Sequence, residues 1–132
     1  MSAIRPIRLF VLAALLVTPA AYAGDAKGNA ERGKALFTSN ACGTCHGVTA
    51  GDNSKVGPNL LGLMGRQAGT IKSLMGPSEN LTKYGVTWDM ETLDEFLANP
   101  NAKVPGTAMV GMLADPQQRA DVIAYLATLK SR

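Results

Sequence analysis

Cys42-Gly43-Thr44-Cys45-His46 gathers the only two cysteines and the only histidine of the chain into five consecutive positions. Two cysteines and one histidine scattered at random over 132 positions fall as C-x-x-C-H roughly once in ten thousand arrangements. Thiols three residues apart lie about one helical turn apart, on one side of the chain. That spacing suits addition of each thiol to one vinyl group of a haem, giving two thioether bonds. The imidazole that follows then projects under the iron as proximal ligand. Gly43 and Thr44 are small and let a flat ring lie close to the backbone. Two other chemistries use the same residue types. A dithiol oxidoreductase opens a helix of a βαβ chain with C-x-x-C, and no strand alternation surrounds this motif. A zinc site wants four ligands, and only three soft candidates stand together.

An iron held by His46 has a sixth position, and no second histidine exists to fill it. A methionine, a lysine, water or an exogenous ligand remains. Met64, Met75, Met90, Met109 and Met112 are the methionines beyond the leader described below. Met90 falls on the apolar face of a helical pattern and reads as core. Met109 follows Asn99-Pro100-Asn101-Ala102-Lys103-Val104-Pro105-Gly106-Thr107-Ala108, where two prolines disfavour helix and favour a stiff, extended strap. Such a strap can lay a thioether across an open haem face. Met112, three residues on, is its competitor.

These residues need a scaffold, and the composition bounds it. The chain has 132 residues, 46% of them hydrophobic and 17% charged, which is globular and fits one domain. Residues 1–23 read as a cleaved secretory leader: Arg5 and Arg8, the apolar run Leu9 to Val17, then Ala21-Tyr22-Ala23. The run is too short to span a membrane. The expected domain is then 24–132, which is 109 residues with 11 basic and 10 acidic side chains. With a balance so close to neutral and no basic run or aromatic stacking platform, no nucleic-acid partner is expected. Only five aromatic residues remain in that domain, a thin supply for a small core, and a large apolar cofactor would complete it.

Three main helices are expected. Asn29 to Ser39 has Asn29 as N-cap, Glu31 in the first turn and Gly33 and Phe37 on one face. Thr87 to Asn99 has Thr87 or Asp89 as cap, Met90, Leu93 and Leu97 as its apolar face and Pro100 as stop. The last begins Asp115-Pro116-Gln117-Gln118, a capping-box pattern with Pro at N1. Val122, Leu126 and Leu129 form its stripe, with Lys130 and Arg132 at its negative end. Residues 47–76, rich in glycine, read as a loop long enough to need a function, and wrapping a cofactor is one.

The ordered series of motifs resembles the class I c-type cytochromes, the small soluble monohaem cytochromes c of mitochondria and bacteria. The matching stretches are Gly33-Lys34-Ala35-Leu36-Phe37, the haem motif, Val56-Gly57-Pro58-Asn59-Leu60, Gly65-Arg66, Gly85-Val86-Thr87-Trp88, Asn99-Pro100 through Met109, and Arg119 to Leu126. The resemblance implies an all-α cytochrome c fold around one covalent haem c on Cys42 and Cys45. It implies His46 and Met109 as axial ligands and the Pro58 carbonyl as acceptor from the His46 ring. Leu60 would pack on the haem, and Arg66, Trp88 and Thr107 would bond its propionates. Gly33 and Phe37 would cross the last helix near Tyr125. The chain departs from the family's pattern at Phe96, where a tyrosine is frequent, near Pro77, and at Val110-Gly111.

The resemblance further implies an exported, periplasmic single-electron carrier rather than an enzyme. It would be a monomer with no stable membrane anchor, shuttling between donor and acceptor redox proteins of a respiratory or photosynthetic system. The alternatives are a haem subunit of a larger redox complex, or a peroxidase or gas-binding protein if the sixth ligand is labile.

Overall fold

The computed structural model describes residues 27–71, 73–76, 78–111 and 113–131. The expected leader, Pro77, Met112 and Arg132 lie outside them. Asn29 is extended, and its side chain accepts from the Arg32 N–H at 2.9 Å, which starts α1 (Ala30–Ser39). The attachment motif forms one turn, α2 (Cys42–Cys45). A short helix, α3 (Glu79–Tyr84), is capped by Ser78 and ends at Gly85 in the left-handed region. Then come α4 (Met90–Ala98), α5 (Pro100–Lys103) and α6 (Pro116–Thr128). No strand occurs among the described residues, only isolated bridges between Gln67 and Thr87 and between Ser73 and Gly76. The expected all-α architecture and its three main helices are therefore present, as α1, α4 and α6.

Four expectations need correction. Pro100 does not simply stop α4. Asn99 accepts from the Ala102 N–H, and Pro100 opens α5, because proline costs nothing at N1. The extended strap thus begins only after Lys103. Met90 is 54% exposed and not core; it stands at the first position of α4, and the buried face is Leu93, Phe96 and Leu97. The reciprocal capping box forms at α4, where Asp89 and Thr92 exchange side-chain-to-backbone bonds of 2.8 and 2.9 Å. At α6 the cap is Asp115, accepting from Gln117 N–H at 2.7 Å. That helix ends at Thr128, so Lys130 lies beyond its last turn.

The frame is the crossing of α1 over α6. A side chain at Gly33 would overlap the Asp121 carbonyl, and one at Gly28 the Ala120 carbonyl. Glycine here allows backbone-to-backbone approach, at a helix-propensity cost of about 1 kcal/mol for Gly33. Phe37 meets Tyr125 edge-on, ring centres 5.5 Å apart. Beneath the crossing the Asp121 carboxylate accepts four bonds: from Asn29 N–H (2.7 Å), Arg32 Nε (2.8 Å) and Nη2 (3.0 Å), and Gln117 Nε2 (3.1 Å). The core continues through Leu63, Ala68, Trp88, Leu93, Phe96, Leu97, Val104, Leu113, Val122, Ile123 and Leu126.

Candidate functional site

α2 starts from Ala41, whose φ of 58° is unusual for a residue with a side chain. That turn reverses the chain after α1 and sets α2 against it; the bare side of Gly43 faces the Phe37 ring. Cys42 is half-buried and Cys45 exposed, and no disulfide joins them. Burial pushes the Cys42 thiol up, its own backbone N–H pulls it down, and Cys45 adds a smaller upward push. His46 ends the turn in extended backbone, its N–H bonded to the Cys42 carbonyl at 2.9 Å.

The imidazole is fixed by the loop opposite. His46 Nδ1 lies 2.8 Å from the Pro58 carbonyl oxygen. A carbonyl only accepts, so Nδ1 carries the proton and Nε2 keeps its lone pair. Burial pushes the imidazole below its ordinary range, against an opposing pull from the Pro58 bond. Burial favours a neutral ring, and the Pro58 contact leaves Nε2 as the atom that can bind a metal. The same loop is tied to the motif by Gly57 N–H to the Cys45 carbonyl (2.8 Å) and Leu60 N–H to the Gly47 carbonyl (2.8 Å).

Gly57 matters more than its place in a loop suggests. A Cβ there would stand 2.5 Å from His46 Cε1 and 2.7 Å from Nδ1. Gly57→Ala is therefore expected to push the ring off Pro58 and to cost about 1–3 kcal/mol, as overpacking does. A denaturant midpoint and the low-spin visible spectrum would check it; an unchanged midpoint and spectrum would contradict the close approach.

The other expected site residues fall into two groups. Arg66 and Trp88 are brought side by side by their backbones: Trp88 N–H donates to the Arg66 carbonyl (2.9 Å) and Gly65 N–H to the Trp88 carbonyl (2.8 Å). The Arg66 guanidinium turns back to the proximal loop, donating to the Asn59 carbonyl (2.9 Å) and the Leu61 carbonyl (3.1 Å). Burial lowers its pKa. Asn59 braces the loop from within, donating to the carbonyls of Thr49 (2.7 Å) and Asp52 (2.9 Å). Leu60 packs against the core. Asn59 and Gly57 were visible in the sequence only as neighbours of Pro58.

The second group is the strap. Thr107 and Met109 are partly buried, while Ala108 and Val110 are exposed, Val110 at 89%. This alternation is that of extended chain, and it turns Met109 against the core. Thr107 Oγ1 accepts from the Met109 N–H at 3.3 Å. Among the described methionines, Met64 and Met109 pack on the core, and Met75 and Met90 face outward.

A cysteine pair on one helical turn, a histidine with its outer nitrogen already committed, and an inward thioether suit haem, whose iron takes nitrogen and sulfur. The fold and site thus define a helical haem-carrying domain. The chain matches the family model described as Cytochrome c over residues 30–130. It is 42% identical over 108 residues to a cytochrome c of Guizotia abyssinica, covering 81% of this chain and 96% of that relative. A cytochrome c of Arabidopsis thaliana is 40% identical over 101 residues (76% and 88%), and one of Cochliobolus lunatus 39% over 104 (78% and 94%). The protein belongs to the cytochrome c family, electron carriers rather than enzymes. With the family, Cys42 and Cys45 imply a covalently attached haem c. No helix among the described residues is long and apolar enough to cross a membrane.

Proposed function

We propose that this cytochrome c is an exported, monomeric single-electron carrier whose haem iron is held by His46 and Met109. The leader pattern of residues 1–23 supports export to the periplasm, with a mature chain from Gly24. The observation that carries the ligation is the His46 Nδ1–Pro58 contact, which leaves Nε2 free, taken with a strap that turns Met109 inward. When bound, the haem supplies an iron that passes one electron between ferrous and ferric states, making no bond in a substrate. Pro58 holds the His46 proton and raises the basicity of Nε2. Leu60, Phe96, Leu97, Val104 and Leu113 provide an apolar surround that excludes water. Arg66, Trp88 and Thr107 are the groups proposed to face the haem propionates. The test is the iron–sulfur charge-transfer band of the ferric protein. It is expected in the wild type, lost in Met109→Ala and retained in Met112→Ala; survival in the first and loss in the second would overturn the assignment. N-terminal sequencing of periplasmic protein should begin at Gly24.

The partners are donor and acceptor redox proteins met in brief encounters. Lys103, the positive group on the approach to the strap, pairs with Glu95 at 2.5 Å, and Asp52 stands close enough to Lys55 to feel its charge. The mature chain carries 11 basic and 10 acidic side chains. Electrostatic steering should therefore be weak. Electron-transfer rate with a native partner is expected to change less than about threefold as the Debye length shrinks from ~30 Å to ~8 Å. A steep fall would reveal a charged docking face.

A further inference from the structure

The strap is suspended between two anchors. At its start Val104 is 1% exposed, the Thr107 N–H donates to the Val104 carbonyl (3.0 Å), and Asn80 Nδ2 donates to the Gly106 carbonyl (3.2 Å). At its far end Leu113 is buried, with its N–H on the Leu97 carbonyl of α4 (3.1 Å). One side chain completes that far anchor. Arg119, on the first turns of α6, donates through Nη1 to the carbonyls of Leu113 (2.7 Å) and Ala114 (2.9 Å). Through Nε it donates to Asp94 Oδ1 (2.7 Å), on α4. Its side chain is 11% exposed.

We propose that Arg119 is the positioning residue for the sixth iron ligand: it fixes the peptide four residues beyond Met109 and so holds the thioether inward. This inference rests on the Met109 ligation proposed above. The geometry is specific to a guanidinium. A planar fork can aim one nitrogen at two successive carbonyls while a second meets a carboxylate on another helix. A lysine has one nitrogen and cannot span both. Asp94 completes the device by fixing the plane of the fork, and it ties the strap's end to α4 as well as α6. Losing the fork frees two carbonyls to turn toward water, and the short run back to Met109 gains freedom with them.

The experiment is displacement of Met109 from the ferric holoprotein by added imidazole, followed by loss of the charge-transfer band. Arg119→Lys and Arg119→Gln are expected to bind imidazole about tenfold more tightly than the wild type, the worth of one charge-assisted hydrogen bond. Asp94→Asn, at a half-exposed position, should keep the fold and bind about threefold more tightly. Asp121→Asn serves as the control that weakens the α1–α6 frame without touching the strap, and its imidazole affinity should stay at the wild-type value. Wild-type affinity in the Arg119 and Asp94 variants overturns the positioning role. Equal tightening in Asp121→Asn overturns it too, since general destabilisation would then account for the effect. If the Arg119 variants do not fold, Asp94→Asn decides alone. A wild-type protein with no charge-transfer band overturns the Met109 assignment itself, which separates the two failures.

Discussion

Replacing both Cys42 and Cys45 with alanine should yield a chain that releases its haem on a denaturing gel, whereas the wild type keeps it. The turn that carries the thiols has no side-chain cap at its start and only four residues. It cannot grip a cofactor by shape alone. A covalent tether turns binding into an intramolecular event, with an effective concentration of order mM. Without it, retention depends on free haem, so the effective haem concentration at the site falls about a thousandfold at µM haem. Each single variant keeps one possible thioether and should lose less. Haem staining of denatured samples, with holoprotein yield, measures both. Stain surviving in the double variant would sink the attachment reading.

The second large effect is expected at Asp121. Its carboxylate is 4% exposed, while its ion-pair partner Arg32 is half-exposed, at 52%. The Arg32 contact, followed by the Asn29 and Gln117 bonds, holds its pKa at about 2 against the opposing pull of burial. Asp121→Ala removes four accepted bonds and should cost about 2–3 kcal/mol; the figure for breaking a buried pair is reduced here because solvent reaches Arg32. The pH dependence follows from the sign of the shift. The folded pKa lies below the unfolded value, so the increment is present above about pH 4 and is lost as pH falls toward 2. We expect that increment to be about 1–2 kcal/mol after screening. Denaturant unfolding between about pH 5 and pH 2 should show it in the wild type and not in Asp121→Asn. Parallel curves would mean the carboxylate is not stabilised by folding.

The parts legible in the sequence were those decided locally. Asn29, and Asp115 with Pro116, are caps whose effect reaches three residues, and α1 and α6 begin where they stand. Cys42 and Cys45 share one turn, with His46 at its end, as their spacing alone requires. Pro100 carried an ambiguous local signal, since proline both ends a helix and begins one. Met90 satisfied the helical period yet stayed exposed, because position on a face does not ensure that anything packs there. Gly57 and Asp121 were not legible for their roles. One depends on a ring eleven residues earlier, the other on a backbone amide 92 residues earlier. α3 is only six residues long, too short for a periodic signal.

The crossing of α1 over α6 also sets an order of events. Its Asn29–Asp121 bond joins residues 92 apart, and closing so long a loop costs about 4 kcal/mol of chain entropy before any contact offsets it. The first helix therefore waits for nearly the whole chain. A chain that has not yet closed this crossing holds Cys42 and Cys45 on a frame still lacking its last helix.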